Sequence, residues 1–452
     1  MSNAAREARR HDRAVGRDRR NDRIRSTGCA APPDEGRRCR DRFGHGHRGQ
    51  RSRFWRGLRS RPADGFCAEY TSRSQGCGSV KHPEHHLFEM TPEDLAGWCE
   101  SRGMKKFRAK QILEWVYQQG EADPLEWTNL SARDRECANA ELTILSGRTI
   151  SHQLATDGTQ KLLIQWDEEP KPGTAGGTLN VLQDDPSMQT ECVMIPSLGE
   201  DTHRKTACIS SQVGCPVGCR FCASGLSGLD GNLSTGRIVE QAWRLGQLEN
   251  VGRISNIVFM GMGEPLSNFK PVVNAVRRLS AQTPEGMGIG ARKITISTVG
   301  LPRAIERLAT ELDLPITLAL SLHAPNDDIR RELIPWAEYT SIDELLSACN
   351  RWFQKTGREI TLEYTLLGGM NDQAHHAKEL SGVARSLRAN INLIRYNEVD
   401  GLPYKRPKDS DVTRFQTILR DAGLNCHIRA SRGRDIAAAC GQLRHEHRAD
   451  QA

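Results

Sequence analysis

Three cysteines stand close together in the segment GCPVGCRFCASG, at Cys215, Cys219 and Cys222. Their spacing, C-x3-C-x2-C, places three thiols on one short loop, and thiolates are ligands of iron–sulfur clusters and of zinc. A four-iron cluster takes four thiolates, so a set of three leaves one iron open for a small molecule. The glycines let the loop turn tightly, and Phe221 would cover one side. The pattern therefore favours a cluster with an open iron.

Two other interpretations of the cysteines stay open at this point. Cys208 lies seven positions before Cys215 and would complete a four-cysteine zinc site. Structural zinc sites, however, usually pair C-x2-4-C elements that are separated by a longer stretch. The cysteines are also compatible with ordinary buried side chains. The loop context and the position after a predicted strand favour the cluster.

The elements that must position this loop begin at residue 206, where strand-like and helix-like segments alternate. The strand-like segments are TACISSQ, ISNIVFMGM, RKITISTVG, PITLALSLHA, REITLEYTLL, NINLIRYNEV and NCHIRAS. Repeated β-α units predict parallel strands joined by right-handed crossovers. About six such units predict an α/β fold with a partial (β/α)6 barrel over residues 206–445, in which chemistry lies at the C-terminal ends of the strands.

Three regions precede this predicted barrel. Residues 1–85 are rich in arginine and poor in aliphatic side chains, which predicts a disordered tail. Residues 88–147 predict a small helical domain, because three amphipathic segments follow one another and the first begins with a capping-box pattern at Thr91. Residues 155–205 contain the β-like runs QKLLIQWDE and ECVMIPS around the Pro/Gly-rich EPKPGTAGGT, and they predict a β-rich linker or extension.

The positive charge of the chain is concentrated in its first 60 residues. These hold 18 arginines, no lysine and 7 acidic residues, a net charge of +11. Since the whole chain carries +7, the other 392 residues carry −4. The total charge therefore does not indicate nucleic-acid binding by the folded part. An RNA surface there must be a local patch, for which the candidates are Lys105, Lys106, Arg108 and Lys110.

The cellular context follows from the cysteines and from the hydropathy. The fourteen cysteines are scattered, and the charged N-terminus has no apolar segment typical of a secretory signal. No stretch approaches the ~20 apolar residues of a membrane helix. We therefore expect a cytoplasmic protein, without membrane contact, in which clustered cysteines serve metal or redox chemistry.

The cysteine loop after the first strand of a partial barrel resembles that of the radical SAM superfamily. This resemblance implies a [4Fe-4S] cluster with three cysteine ligands, Cys215, Cys219 and Cys222. The open iron would bind the amino and carboxylate groups of S-adenosylmethionine (SAM). One electron from the cluster would then release a 5′-deoxyadenosyl radical, while the protein orients the cofactor and excludes side reactions.

Further residues at strand ends fit SAM under this resemblance. In GMGEP, Gly263 allows a close approach and the Glu264 carboxylate can pair with an ammonium group. Hydroxyl, backbone, imidazole and amide groups for the ribose and adenine are offered by Ser297, Ser321, Leu322, His323 and Asn397. Taken singly, each is an ordinary strand-end residue, so the prediction depends on the set.

Five segments together resemble the adenine-C2 RNA methylases of the RlmN/Cfr type. They are CISSQVGCPVGCRFCASG, NIVFMGMGEPL, SLHAPNDDIRRELIP, INLIRYN and AACGQL. The resemblance covers about residues 88–445 and makes the helical domain an RNA-binding domain. It implies an adenine of the peptidyl-transferase centre of 23S rRNA as substrate, before the ribosome is fully assembled, and for some members the adenine 3′ of the tRNA anticodon.

The same resemblance implies roles for two further cysteines and one carboxylate. A first SAM would methylate Cys440, and a second would yield the radical that takes a hydrogen atom from the S-methyl group. The resulting methylene radical would add to adenine C2, and Glu191 would remove the C2 proton. Cys208 would then attack the Cys440 sulfur, which releases the methylated RNA and leaves a disulfide for reduction.

Other functions remain open beside this one. A C8-adenine methylase of the Cfr type has nearly the same motifs. A radical SAM enzyme for a peptide or a small molecule would leave Cys208 and Cys440 without a task. A zinc-stabilised RNA-binding module would leave GMGEP and Cys440 unexplained. We further expect a monomer that receives electrons from a donor such as flavodoxin or ferredoxin.

Overall fold

The structure, a computed structural model, describes residues 82–167, 185–197, 204–226 and 228–443. The predicted disordered tail therefore lies outside the described residues except for its last four positions. The whole of the predicted Pro/Gly-rich loop EPKPGTAGGT lies outside them as well. The described residues all belong to one compact unit.

The first part of this unit is helical. Its helices are α1 (Pro92–Ser101), α2 (Arg108–Glu114) and α3 (Ala132–Glu141). The predicted capping box is present, because Thr91 and Asp94 exchange two side chain-to-backbone hydrogen bonds of 3.0 Å. Helix α2 runs into a π-helical turn and stops at Gly120, whose φ of 73° favours glycine.

Four antiparallel strands follow the helices. They are β1 (Gly147–Leu154), β2 (Gln160–Trp166), β3 (Gln189–Pro196) and β4 (Lys205–Cys208). Strand β1 begins eight residues before the predicted β extension. Each strand pairs with the next, and β4 then pairs in parallel with the first barrel strand after it. The β extension is thus continuous with the barrel sheet.

The barrel sheet is parallel from β4 onward. A separate two-stranded ribbon, β5 (Gln212–Gly214) with β6 (Leu229–Asn232), flanks the cysteine loop. The parallel strands after it are β7 (Asn256–Phe259), β8 (Ile294–Thr298), β9 (Thr317–Ser321), β10 (Ile360–Leu366), β11 (Ala389–Arg395) and β12 (Cys426–Arg429). The ten-stranded sheet has the order β1-β2-β3-β4-β7-β8-β9-β10-β11-β12. The predicted α/β fold with an open barrel is confirmed.

Helices join the parallel strands and cover the sheet. They are α4 (Thr235–Gly246), α5 (Phe269–Ser280), α6 (Pro302–Glu311), α7 (Asp327–Leu333), α8 (Ile342–Thr356), α9 (Ala374–Arg385) and α10 (Asp409–Asp421). One continuous apolar core includes Trp98 of the helical part, Leu162 of the extension and Trp243 of the barrel. None of the helices in the described ranges is long and apolar enough to span a membrane.

A buried polar group, which we call the junction cluster, joins the helical part, β1 and α4. It consists of His86, Ser146, Glu240 and Arg244. The Glu240 carboxylate accepts hydrogen bonds from His86 Nε2 at 3.2 Å and from Ser146 N and Oγ at 2.8 Å each. Arg244 Nε donates to its other oxygen at 2.8 Å. The junction cluster therefore fixes the helical part on the barrel through a fully bonded carboxylate.

Candidate active site

The three-cysteine loop follows β5 and closes on itself. Cys215 N donates to Gly228 O at 2.7 Å, and Cys222 N donates to Cys219 O at 3.1 Å. The three thiols are half-buried and pack in one apolar cluster with Phe221. The structure thus brings all three predicted ligands to one side of the barrel.

The thiols of this loop are difficult to ionise without a cation. Burial raises the pKa of Cys215 to about 12, and it raises the pKa values of Cys219 and Cys222 as well. The charge of Cys222 raises the pKa of the other two further. Within the described residues, no three His, Cys, Asp or Glu side chains converge on a single-ion site. Three thiolates that bind separate irons of one cluster do not require that convergence, so the donor set fits such a cluster.

Backbone beside the loop is kept free of side chains. A Cβ atom added to Gly263, which has a φ of 102°, would lie 2.7 Å from Gln212 Cβ and 2.8 Å from Ser211 Oγ. The Ser211 hydroxyl is buried and has no hydrogen-bond partner among the described residues. Glycine is therefore required at position 263 because its backbone packs directly against Ser211 and Gln212, and the unsatisfied Ser211 hydroxyl is left available to a polar ligand.

Glu264 is buried beneath this backbone and is bonded by neutral donors. Its carboxylate accepts hydrogen bonds from Thr298 Oγ1 at 2.7 Å, Val299 N at 2.8 Å and Leu266 N at 3.0 Å. Burial raises its pKa to about 7, although these hydrogen bonds act in the opposite direction. The described residues place no cation in ion-pair contact with it. An ammonium group of a ligand would supply the missing charge.

The next strand ends carry the predicted polar contacts. Ser297 Oγ at the end of β8 and Ser321 Oγ at the end of β9 lie 3.1 Å apart. His323 Nδ1 accepts a hydrogen bond from Thr365 N at 3.1 Å, which assigns the ring proton to Nε2. Burial, and then the charge of Arg330, lowers the pKa of His323 to about 3, so the ring is neutral at physiological pH.

Leu322 and Asn397 take different positions. The Leu322 side chain is fully buried, and its N–H already donates to Glu363 O at 3.1 Å. Asn397 Nδ2 donates to Cys440 O at 3.4 Å. The structure therefore connects Asn397 to the C-terminal cysteine, whereas Leu322 has only its backbone carbonyl to offer.

The C-terminal segment is bound to the three-cysteine loop. Ala223 N donates to Gly441 O at 2.8 Å, and Ser224 Oγ donates to Leu443 O at 2.7 Å. Cys440 lies within this segment and is exposed. The two segments are far apart in the sequence, but these hydrogen bonds hold them side by side.

Cys208 faces the same segment from the end of β4. Burial, and then the charge of Cys440, raises the pKa of Cys208 to about 12. The Cys208 side chain packs with Ala438 and Leu443 in an apolar cluster separate from that of the three-cysteine loop. The zinc interpretation required Cys208 to join the three cysteines, whereas in the structure Cys208 packs against the segment that contains Cys440.

Glu191 lies in β3 and forms a buried ion pair. Its Oε1 is 2.8 Å from Lys161 Nζ, and the two side chains are 2% and 3% exposed. The backbone N–H of Glu191 donates to Met262 Sδ at 3.5 Å, and Met262 packs with Cys208. The carboxylate is therefore held beside a cation in the same part of the molecule as the cysteine pair.

Three cationic side chains of this region were missed by sequence reasoning. Lys161 pairs with Glu191, while Arg429 lies between Glu363 and the cysteine pair. The Nη1 atom of Arg429 is 3.6 Å from Glu363 Oε2. The pKa of Arg429 is raised above its usual value. Burial lowers it, but the charges of Cys440, Glu363 and Cys208 together outweigh this effect. The third is Arg330. A basic residue within the strand-like run QKLLIQWDE was the available signal for Lys161 only.

Comparisons with known proteins agree with this geometry. A family model described as the Radical SAM superfamily matches residues 209–380. One described as the Ribosomal RNA large subunit methyltransferase N-terminal domain matches residues 85–144. A protein of Rhodopirellula baltica named "Probable dual-specificity RNA methyltransferase RlmN" is 42% identical over 375 residues, which cover 83% of this chain and 94% of that protein.

Two further relatives extend the comparison. The "Dual-specificity RNA methyltransferase RlmN" of Marinomonas sp. is 38% identical over 366 residues, covering 79% of this chain and 92% of the relative. The crystal structure of a radical SAM methyltransferase from Sphaerobacter thermophilus matches with a TM-score of 0.72 at 38% identity. It covers 80% of this chain and 100% of that chain.

The barrel, the three-cysteine loop and these matches define a radical SAM methyltransferase. Within that class, the chain belongs to the RlmN family of RNA methyltransferases. The predicted family is confirmed, and membership implies a [4Fe-4S] cluster and SAM as cofactors.

Proposed function

We propose that this protein methylates carbon 2 of an adenine in 23S rRNA, in the peptidyl-transferase centre, and the adenine 3′ of a tRNA anticodon. The observation that supports this most directly is that Cys208 packs against Ala438 and Leu443, on either side of Cys440, in a segment that is hydrogen-bonded to the three-cysteine loop. Adenine C2 has no lone pair, so direct transfer from a sulfonium is chemically excluded. A thiol that first carries the methyl group resolves this problem.

The cofactors are assigned to groups at the strand ends. Cys215, Cys219 and Cys222 are the proposed ligands of one cluster. SAM would contact Gly263, Glu264, Ser297, Ser321, Leu322, His323 and Asn397. When bound, these cofactors supply a methyl group and a 5′-deoxyadenosyl radical, with two SAM molecules used per turnover.

Cys440 and Cys208 divide the thiol chemistry between them. Cys440 is exposed and can receive both a methyl group and the RNA base. After its S-methyl group has lost a hydrogen atom, the methylene carbon bonds to adenine C2, and this adduct then loses the C2 proton and one electron, which would return to the oxidised cluster. The buried Cys208 thiolate attacks the Cys440 sulfur, so the bond from that sulfur to the methylene carbon breaks, the carbon takes up a proton to become the methyl group, and a disulfide remains. The positive charge of Arg429 lowers the pKa of Cys208 and so acts against the effect of burial.

Glu191 is the proposed base for the C2 proton. The Lys161 cation at 2.8 Å favours the ionised carboxylate, which is the form that can accept a proton. The burial of both groups keeps water away from the pair. The base assignment therefore has a structural basis in addition to the sequence match.

The outer face of the helical domain offers a surface for RNA. Lys105, Lys106 and Phe107 are consecutive and exposed, and Phe107 is 53% exposed. The described residues provide no ion-pair partner for either lysine, whereas Arg108 pairs with Asp134 at 3.2 Å. Free ammonium groups suit phosphates, and an exposed ring suits an unstacked base.

The remaining assignments concern the cellular setting. We propose a monomeric cytoplasmic enzyme that acts on 23S rRNA before the ribosome is fully assembled. A flavodoxin or ferredoxin would supply electrons to the cluster and reduce the disulfide indirectly. These assignments extend the family's RNA chemistry to this chain.

The test is nucleoside mass spectrometry on a reconstituted reaction. Protein loaded anaerobically with iron and sulfide is mixed with SAM, a reductant and a 23S rRNA fragment or a tRNA. We expect 2-methyladenosine. Detection of 8-methyladenosine would assign the protein to the Cfr type instead. Formation of 5′-deoxyadenosine without a methylated base would keep the radical chemistry and exclude these RNA substrates.

A further inference from the structure

One buried guanidinium beside the three-cysteine loop has too few partners for its charge. Arg330 on α7 is 1% exposed. Its Nη2 donates to Val299 O at 2.6 Å, whereas Nε and Nη1 have no acceptor among the described residues. No described carboxylate forms an ion pair with it. Burying unsatisfied charged donors is costly, so a ligand with negative charge is expected there.

The position of α7 places this guanidinium next to the proposed cluster ligands. Arg220 N in the loop donates to Leu333 O at the end of α7, at 3.0 Å. Leu333 packs in the same apolar cluster as the three cysteines. Burial raises the pKa of Cys219 well above its usual value, and the positive charge of Arg330 acts in the opposite direction. The two groups are therefore close enough to interact electrostatically.

A second buried arginine, Arg237, differs because protein groups balance its positive charge. Arg237 is fully buried, and its Nε and Nη1 also lack acceptors among the described residues. Its guanidinium, however, lies 5.5 Å from the centre of the Trp166 ring. Burial lowers its pKa to about 10, and Glu240, Asp167 and Glu89 all act against this. Arg237 thus has protein anions and a π face around it.

Arg330 has much less protein charge nearby. Burial lowers its pKa to about 10, and the groups that oppose this are Cys219 and Asp327. Cys219 is itself a proposed cluster ligand. A four-iron cluster with three thiolates carries net negative charge, and reduction adds another negative charge. Such a cluster is the anion that the position of Arg330 would match.

We propose that Arg330 contacts the cluster: its Nε and Nη1 donate hydrogen bonds to cluster sulfur atoms, and its charge stabilises the reduced state. This inference rests on the proposed ligand role of Cys215, Cys219 and Cys222. A nearby cation and hydrogen bonds to the sulfurs raise the reduction potential of a cluster. Arg330 would therefore ease delivery of the electron that starts the reaction.

The experiment compares Arg330→Gln, Arg330→Lys and wild type after anaerobic reconstitution and without SAM. The reduction potential is measured by a titration followed by electron paramagnetic resonance, and cluster loss to an iron chelator is followed by absorbance. We expect Arg330→Gln to shift the potential to more negative values and to lose its cluster faster. Arg330→Lys keeps the charge but not the two donors that the guanidinium holds in one plane, so its potential should lie between those of Arg330→Gln and wild type.

Arg331→Gln is the matched control. Arg331 is the next residue on α7, but its side chain is 40% exposed and pairs with Asp328 at 3.2 Å. Its substitution removes the same charge from the same helix and should leave the potential and cluster retention at wild-type values. Thermal unfolding of each cluster-free protein separates a cluster effect from a loss of fold.

Each outcome has a defined meaning. A wild-type potential in Arg330→Gln, with full cluster content, would contradict the proposal. If the potential stays at the wild-type value and a separate titration shows that Arg330→Gln binds SAM more weakly, the SAM carboxylate would be the anion instead. If Arg330→Gln does not fold, wild-type potential and cluster retention in Arg330→Lys would show that the planar donors Nε and Nη1 are not needed, which contradicts the proposed hydrogen bonds. Wild-type protein that binds no cluster at all would refute the ligand assignment itself.

Discussion

Two buried glutamates show how differently the chain treats its domain junction and its active site. Glu240 in the junction cluster has a pKa of about 2, because Arg244, His86 and the Ser146 N–H outweigh the effect of burial. Glu264 in the active site has a pKa of about 7, because burial outweighs its three hydrogen bonds from neutral donors. Both carboxylates are buried, and they differ in whether a cation is nearby.

In the junction cluster, the protein itself supplies the opposite charges for its buried ionisable groups. In the active site, a ligand would have to supply them. The junction cluster contains its own opposite charges, so it can stabilise the fold without any cofactor. The active site holds a carboxylate without a cation, Glu264, and a guanidinium with few anions, Arg330. Under the proposed assignments, SAM and the cluster would carry the complementary charges. The site would then be arranged for its cofactors at the expense of stability without them.

The largest effect is expected from the exposed thiol of the active site. Cys440→Ala removes the methyl carrier, so RNA methylation should fall by at least ~10³-fold, a size typical of lost nucleophiles. Thermal unfolding should not change, because Cys440 is exposed. Nucleoside mass spectrometry measures the first quantity and circular dichroism the second.

The control for this variant is Cys137→Ala, which removes a half-buried thiol from α3. It should retain methylation. In contrast, Cys208→Ala should leave the protein covalently bound to RNA, since the attack that releases it is lost. Methylation by Cys440→Ala at the wild-type rate would exclude the two-thiol mechanism.

A substitution in the junction cluster should instead lower the free energy of unfolding. Glu240→Gln removes the charge of a fully buried carboxylate and leaves Arg244, whose side chain is 13% exposed, and the buried His86 without their anion. Breaking a buried pair costs about 3 to 5 kcal/mol. We expect a loss of about 3 kcal/mol in the free energy of unfolding, measured by urea denaturation of the cluster-free protein. Glu249→Gln, on an exposed residue just after α4, should change it by less than about 0.5 kcal/mol.

Equal losses in these two variants would mean that the junction cluster does not stabilise the fold. The pH dependence gives the same comparison without mutation. The folded pKa of Glu240 is about 2 and its ordinary value is 4.5. The stabilisation that the Glu240 carboxylate contributes is therefore fully present above pH 4.5. It is lost as the pH falls from 4.5 to about 2.

Glu264 should contribute to stability with the opposite sign. Its folded pKa is about 7 and its ordinary value is 4.5, so between these values the folded state retains a proton that the unfolded state has released. Stability should fall as the pH rises through this window, by about 3 kcal/mol in total. Glu264→Gln removes this dependence.

The measurement is the free energy of unfolding of cluster-free wild type and Glu264→Gln between pH 4.5 and 7.5. The difference between the two proteins should shift in favour of the variant as the pH rises. Glu249→Gln serves here too, and its curve should run parallel to that of wild type. A constant difference for Glu264→Gln would show that the chain itself compensates the carboxylate.

Local patterns predicted local structure well in both regions. The Thr91 capping box and the strand-end loops depend on residues that are near in sequence, and the structure has them. The burial of Glu264 and Arg330 and their hydrogen bonds to neutral groups depend on contacts between distant segments. The spacing of residues in the sequence cannot reveal such contacts. The Lys161–Glu191 ion pair was missed for the same reason, because it requires the register of β2 against β3.

The smallest predicted effect concerns the helical domain. The charges on its inner face have partners in the junction cluster, whereas Lys105 and Lys106 on its outer face have no ion-pair partner among the described residues. Phe107→Ala removes the exposed ring between the free lysines and Arg108, whose guanidinium lies 5.2 Å from the ring centre. Base stacking on an aromatic side chain is worth about 1 to 3 kcal/mol, so RNA affinity should fall about tenfold at constant salt. Leu125→Ala, which removes a side chain that is 45% exposed in the same domain, should leave the affinity unchanged. Equal affinities of both variants in a filter-binding titration would place the RNA on another face, and unchanged thermal unfolding would confirm that only the surface was altered.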